Sequence, residues 1–142
     1  MNGPTWSVAM VAPAKLTLTL RVLGTRPDGF HALDALTVCV SAPADRVAIA
    51  GETGPGVRLV VTGADTGVPT GDDNLVVRAA KLFLATTKIK AGIAINLEKQ
   101  IPHGAGLGVG SSDAATTLLG LNELFGSALK QEPLLKPSCK MV

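Results

Sequence analysis

Residues 99–115 read KQIPHGAGLGVGSSDAA, with glycine at 104, 106, 108 and 110 and with Ser111 and Ser112 directly after. Alternating glycines do not suit the interior of a regular element, because each adds backbone freedom and removes a packing side chain. The segment is a loop whose backbone, not its side chains, faces a neighbour. Ahead of it AGIAINL at 91–97 predicts a strand, and behind it an alanine-rich run predicts a helix at about 112–125. A helix N-terminus carries free N–H groups and about half a positive charge, which together suit an anion. Glycines let the chain wrap an oligophosphate closely and turn N–H groups inward. The serine hydroxyls can cap the helix, contact phosphate or ligate Mg²⁺. The bland alternative for the same residues is a flexible surface turn.

The loop is not a Walker motif, because the Gly-Lys-Ser/Thr ending is missing. It is not a dinucleotide fingerprint either: GxGxxG would need glycine at 104, 106 and 109, and 109 is valine. The strands before it are not expected to form βαβ units with a ribose-binding acid nearby.

Upstream, TWSVAMVA at 5–12 reads as a strand, as does LTLTLRV at 16–22. Strict alternation in the second predicts Leu16, Leu18, Leu20 and Val22 facing inward and Thr17, Thr19 and Arg21 outward. Pro27-Asp28-Gly29 is turn chemistry, since proline presets φ and glycine accepts φ > 0. Further strands are expected at 33–40, 46–50 and 57–62. Asp72 or Asp73 can cap a helix over about 74–86, with Leu75, Ala79, Leu82 and Phe83 on one face. Ala114, Leu118, Leu121 and Phe125 line the second helix, and Gly126 is placed to end it. Antiparallel strands followed by helices predict an α+β fold. The expected organisation is one domain over 1–126 and an irregular tail over 127–142, where Pro133 and Pro137 forbid a regular helix.

Composition narrows the function. With 46% apolar and 17% charged residues, the chain is not disordered. Its net charge of +2 is scattered, and Trp6, Phe30, Phe83 and Phe125 are its only aromatics, which excludes a basic, stacking nucleic-acid surface. Cys39 and Cys139 match no metal spacing, and one buried thiol and one tail thiol are expected. No apolar run approaches the roughly 18 residues of a membrane span. The uncharged start lacks a basic leader and is broken by Pro13, so a soluble, cytoplasmic protein is expected.

PHGAGLGVGSSDAA at 102–115 resembles the phosphate loop of the GHMP small-molecule kinases, Pro-x-x-x-Gly-Leu-Gly-Ser-Ser-Ala-Ala in general form. PAKLTLTLRVLGTRPDGFHAL at 13–33 is similar to PAKxNLxLxVxGxRxDGYHxL, and DDNLVVRAAKL at 72–82 to DNLxxRAAxxL, both found in one branch of that family. The three motifs occur in order and cover about 11–126. The resemblance implies the GHMP-kinase N-terminal domain, a ribosomal-protein-like two-layer α/β arrangement. It implies ATP as co-substrate with Mg²⁺, and phosphorylation of the 2-hydroxyl of a cytidine diphosphate derivative of methylerythritol, a non-mevalonate isoprenoid precursor.

Residue by residue, the resemblance puts Lys15 near the reacting hydroxyl, Phe30 on the cytosine face and His31 on its edge. Pro102, Gly104, Gly106, Leu107, Gly108, Gly110, Ser111 and Ser112 match the loop around the ATP phosphates. No protein metal ligand is assigned. The residues alone leave Lys15 open as a solvated strand-end lysine and His31 as a surface turn histidine. His103 matches a variable position and is expected to be exposed without a role. Asp45, Asp65 and Asp73 have ordinary turn and cap readings. Thr17 stands where the family often has asparagine, Phe30 where tyrosine is commoner, and Asp113 where asparagine is also common. A carboxylate at 113 suits the helix dipole but repels phosphate unless it points away or binds Mg²⁺.

Family members are about twice as long, and their catalytic Gly-Ala-Asp-Val-Pro segment follows the loop helix. Residues 126–142 contain no such segment, and Glu132 lies in the proline-rich tail. The chain is therefore expected to act as a shortened, catalytically impaired kinase without the C-terminal domain. Two other readings stay open: a stand-alone nucleotide- or phosphate-binding module, and a structural α+β domain of ribosomal type that binds no nucleotide.

Overall fold

Two long apolar stretches build two long strands, where four short ones are expected from the sequence. The computed structural model describes residues 7–130. Strand β1 runs Ser7–Thr25 and β2 His31–Glu52, followed by β3 (Gly56–Gly63), α1 (Leu75–Thr87), β4 (Gly92–Lys99) and α2 (Val109–Leu124). Pro13 does not interrupt β1. It pairs with Ala44 while Ala14 pairs with Val40, so it sits at a register shift, where a missing N–H is tolerated. Trp6, Glu132, Pro133, Pro137 and Cys139 lie outside the described residues.

The sheet order is β1-β2-β4-β3. β1–β2 and β2–β4 are antiparallel, whereas β3 and β4 are parallel. The parallel pair follows from α1, which lies between them in the chain and carries it back across the sheet. β3-α1-β4 is thus a βαβ unit, contrary to expectation. The alternating apolar residues could not distinguish this, because they report burial and not strand direction.

Both helices pack on one sheet face. Val47, Ile49, Leu59, Ile93, Ile95 and Leu97 of the strands meet Val76, Val77, Ala79, Ala80 and Phe83 of α1 and Ala114, Leu118 and Leu121 of α2. Phe83 and Phe125 stack with ring centroids 6.0 Å apart. The two-layer α+β reading therefore holds. The cap of α1 is Asn74 rather than Asp72 or Asp73: its Oδ1 accepts from the Val76 N–H at 2.8 Å, and its amide donates to the Pro69 carbonyl at 2.7 Å. Asp72 instead pairs with Lys81. Gly126, at φ 65°, ends α2 as expected, with its N–H on Glu123 and the Ser127 N–H on Asn122. Asn122 then holds both backbone groups of Leu129, which is buried, so packing continues past Gly126.

The largest departure concerns the far parts of β1 and β2. Beyond Ala14 they pair only with each other and project as a two-stranded arm. Leu18, Leu20 and Val22 are 54%, 59% and 62% exposed, so the expected inward face of 16–22 has no core to meet. A bulge between Thr17 and Thr19 also changes the register. Leu16 and Val38 consequently share one face of the arm, while Leu20, Ala35, Val22 and Leu33 share the other. Cys39, expected to be a buried thiol, is exposed on this arm. Among the described residues no helix is long and apolar enough to cross a membrane.

Candidate functional site

The end of β4 sets the geometry. Ile101, Ala14 and Val109 form a small separate apolar cluster, with Leu107 and Val40 against it. This cluster ties the loop after β4 to the base of the arm. The Lys15 N–H donates to the Leu107 carbonyl at 2.8 Å. The Lys15 side chain lies along the loop: a Cβ added to Gly108 would sit 3.1 Å from Lys15 Cε. The lysine singled out from sequence is therefore brought to the glycine loop by a contact spanning more than ninety residues of chain.

Gly104, Gly106 and Gly108 have φ of 75°, 75° and 63°, the left-handed region that side-chain-bearing residues rarely adopt. Gly110 is helical. Left-handed residues alternating along a loop turn successive N–H groups to one side, the backbone arrangement that receives anions. α2 starts earlier than predicted. Gly108 is its N-cap, without a side-chain hydrogen bond, and the first helical bond runs from the Ser112 N–H to the Gly108 carbonyl. The N–H groups of Val109, Gly110 and Ser111 therefore have no partner within the helix. Ser111 does not cap α2. It sits in the first turn, exposed beside these N–H groups, with half-buried Ser112 next to it. Pro102 is exposed at the start of the loop.

Phe30 and His31 are not brought to this loop. They sit at the tip of the arm, with Phe30 72% exposed. The tip is shaped locally: Asp28 accepts from the Phe30 N–H at 3.1 Å and pairs with Arg26 at 2.6 Å. His31 Nδ1 lies 3.3 Å from the Thr25 hydroxyl. Lys15 and Thr25 are ten steps apart on β1, roughly 30 Å along a straight strand.

His103 is exposed, as expected, but it is partnered. Its backbone N–H and Nδ1 meet Asp65 Oδ2 at 2.8 and 2.7 Å. These contacts, the backbone bond first, hold the Asp65 carboxyl below the ordinary range. Asp65 also makes the expected turn contact, accepting from Gly67, and so ties the β3–α1 connection to the start of the glycine loop.

Behind the loop lies a charge cluster that no sequence motif announces. Asp45 is not a turn residue. It is fully buried, accepts from the backbone N–H groups of Gln100 and Ile101 at 2.7 and 3.0 Å, and pairs with Lys99. Lys99 also reaches Asp113 Oδ2 at 3.1 Å. Asp113 thus points into the protein, away from the loop. Burial disfavours the charged lysine, but the two carboxylates outweigh it and raise its pKa. Burial pushes the Asp113 carboxyl up to about 7; Lys99 opposes this, and the charge of Asp45 adds to it. Asp113 Oδ1 has no hydrogen-bond partner. A cavity of about 160 Å³, lined by Asn74, Leu97, Lys99, His103, Gly110 and Asp113 among others, opens beside the cluster and the loop. The two-residue spacing of Ser111 and Asp113 is visible in the sequence. The partnership with Asp45 is not, because it joins residues 54 apart through strand pairing.

A raised carboxyl pKa has a measurable consequence. Between roughly pH 4 and 7 the native chain holds a proton on Asp113 that the unfolded chain releases. This group's contribution to stability is therefore full below about pH 4 and is lost as pH rises through 7, by at most about 1.4 kcal/mol per pH unit. Asp113→Asn should flatten that decline in urea titrations at pH 5, 6 and 7. Parallel declines in the two proteins would show that another group causes it.

Both the sequence and the fold have counterparts among known proteins. A family model described as the GHMP kinases N-terminal domain matches residues 74–141. A 4-diphosphocytidyl-2-C-methyl-D-erythritol kinase of Geobacter sp. (strain M21) is 46% identical over 132 residues, 93% of this chain and 46% of the relative. A crystal structure of 4-(cytidine 5'-diphospho)-2C-methyl-D-erythritol kinase superposes with a TM-score of 0.77 at 37% identity, covering 95% of this chain and 46% of that one. A homoserine kinase from Cytophaga hutchinsonii superposes with a TM-score of 0.75 at 28% identity, covering 95% and 40%. The chain spans a little under half the length of these proteins. Sequence and fold agree over nearly all of it: the chain has the fold of the GHMP-kinase N-terminal domain and is similar to these kinases in sequence.

Proposed function

We propose that this chain supplies the ATP-binding half of a kinase that phosphorylates the 2-hydroxyl of 4-diphosphocytidyl-2-C-methyl-D-erythritol, in non-mevalonate isoprenoid precursor synthesis. The observation that carries the reading is the anion cradle: three N–H groups without a helical partner at the start of α2, alternating left-handed glycines before it, and the Lys15 side chain laid along Gly108. Phosphoryl transfer leaves little covalent work to the protein; positioning and charge stabilisation dominate. Backbone N–H groups of the loop would hold the nucleotide phosphates. Lys15 would offset the charge that develops on the transferred group, and the 160 Å³ cavity lies where a base could follow. Phe30 and His31 would hold the cytidine end by stacking and hydrogen bonding.

Mg²⁺ accompanies ATP in this reading. Among the described residues no group of three or more His, Cys, Asp or Glu is placed to hold a metal, and Asp113 turns to Lys99, which leaves the Ser111 and Ser112 hydroxyls beside the cradle as the protein groups that would reach the ion. The ion would otherwise be carried by the nucleotide's own phosphate oxygens and water.

A second reading has its own support. Phe30 and His31 stand at the tip of the arm, Phe30 exposed there, and are not brought to the glycine loop. On that reading the 142-residue polypeptide binds nucleotide without turning over substrate. Calorimetry with a non-hydrolysable ATP analogue and Mg²⁺ tests the shared claim. Saturable one-site binding is expected, and its absence from the folded chain would remove both readings. A turnover assay with ATP and the cytidyl substrate then separates them: turnover supports the kinase reading, and binding without turnover supports the second.

A further inference from the structure

The buried cluster behind the loop is one positive charge short. Two carboxylates, Asp45 and Asp113, share the single ammonium of Lys99. Asp45 is fully satisfied: besides Lys99 it holds two backbone N–H groups. Asp113 is not, since Oδ2 meets Lys99 while Oδ1 has no partner, though the side chain is 97% buried. Asp113 sits in the second turn of α2, just past the N–H groups that form the cradle, and lines the same cavity as Gly110. The Asp113 carboxylate thus lies one helical turn behind the N–H groups that would receive a phosphate, with Lys99 as its partner. The other ionisable groups around the cavity are Asp73 and His103, with His103 already paired to Asp65, and Lys15 lies along the loop at Gly108 and does not line the cavity. Among the described residues, only Lys99 brings a cation to the two carboxylates.

Resting on the nucleotide-binding reading, we infer that polyphosphate binding at the loop is coupled to protonation of the Asp45–Lys99–Asp113 cluster, with Asp113 as the positioning residue that takes the proton. A polyphosphate brings several negative charges close to a buried carboxylate in a region of low dielectric, where like charges repel strongly. A proton from the buffer relieves that repulsion by forming an O–H bond at Asp113, whose Oδ1 has its lone pairs free. Nothing else is consumed or released. By linkage, a ligand that raises proton affinity is itself bound more weakly as pH rises. With asparagine at 113 the cluster is neutral, one carboxylate against one ammonium, and the coupling disappears. The aspartate here thus makes anion binding pH-dependent where an amide would not.

The test is calorimetry of the ATP analogue with Mg²⁺ at pH 7.5, in buffers of different ionisation enthalpy, on the parent chain and on Asp113→Asn. Proton uptake by the parent should exceed that of Asp113→Asn by a measurable fraction of one proton. Between pH 6.5 and 8.5 the parent's affinity should also weaken more steeply, the difference reaching up to about tenfold per pH unit, the limit for one linked proton. Protons taken up by the nucleotide itself cancel in the comparison of the two proteins. Equal uptake and parallel pH profiles in two proteins that both bind would overturn the coupling and leave nucleotide binding standing. No binding by the parent would fail the cradle reading and the coupling with it, a result distinct from the first. Should Asp113→Asn not fold, carboxyl-carbon NMR of the parent gives the same answer. The Asp113 midpoint should rise when inorganic tripolyphosphate is added, and an unmoved midpoint with tripolyphosphate bound would overturn the inference.

Discussion

Lys99→Met should remove a large share of the protein's stability at neutral pH, about 3–5 kcal/mol, the usual cost of stripping one partner from a buried ion pair. Methionine nearly matches the volume of lysine and leaves no large cavity. What it leaves is two carboxylates out of water with no ammonium between them. For a domain whose total stability is about 5–15 kcal/mol, that loss is a large fraction. Desolvation and Coulomb attraction oppose each other in such clusters, and the net value of the intact set is small. The deleted partner exposes the desolvation cost alone. The effect has a pH signature, because protonating the stranded carboxylates removes the buried charge. Urea unfolding of Lys99→Met should therefore show partial recovery from pH 7.5 to pH 5. A stability within about 1 kcal/mol of the parent at pH 7.5 would mean that water reaches the cluster, and the burial argument would fail.

Gly106→Val is expected to weaken binding of the ATP analogue by roughly tenfold or more while leaving the fold intact. Gly106 sits at φ 75°, and a Cβ added there would meet nothing within 4 Å. The substitution is therefore not a packing lesion. Its cost lies in the backbone: a β-branched residue resists the left-handed region by about 1–3 kcal/mol. The exposed loop relaxes to avoid that strain, and the N–H groups that the left-handed glycines turn to one side lose that orientation. Each 1.4 kcal/mol lost from binding is about tenfold in Kd, so a loss of roughly tenfold or more is expected. Circular dichroism and urea midpoints should match the parent, since the loop is exposed and the apolar core lies behind it. Unchanged affinity would show that phosphates do not contact this loop. Gly108→Val is a less clean probe, because its Cβ would also press on Lys15 Cε at 3.1 Å.

The two substitutions separate two kinds of contribution. Gly106 concerns only where the backbone points, and its loss should be silent until a ligand is added. Lys99 concerns what lies buried behind that backbone, and its loss should be visible without any ligand. The helix joins them, because the first turn of α2 faces the loop while Asp113, a turn deeper, faces Lys99.

What could be read from sequence was local. Alternating glycines before a helix need only neighbouring residues to form a cradle, since conformational preference acts over a few positions. The helices themselves, the ending at Gly126 and the turn at Pro27-Asp28-Gly29 were legible for the same reason. Only tertiary structure decided the rest. Whether β3 and β4 run parallel depends on α1 carrying the chain back to the end of the sheet where β3 began, and apolar spacing is blind to that. Leu16 and Leu20 point to opposite faces because one bulge shifts the register, a change no alternation pattern reveals. Asp45 looks like any turn aspartate until strand pairing sets it beside Lys99, 54 residues on. Charge partners are chosen by register and burial, which are properties of the assembled sheet, whereas backbone conformation at a glycine belongs to the residue itself.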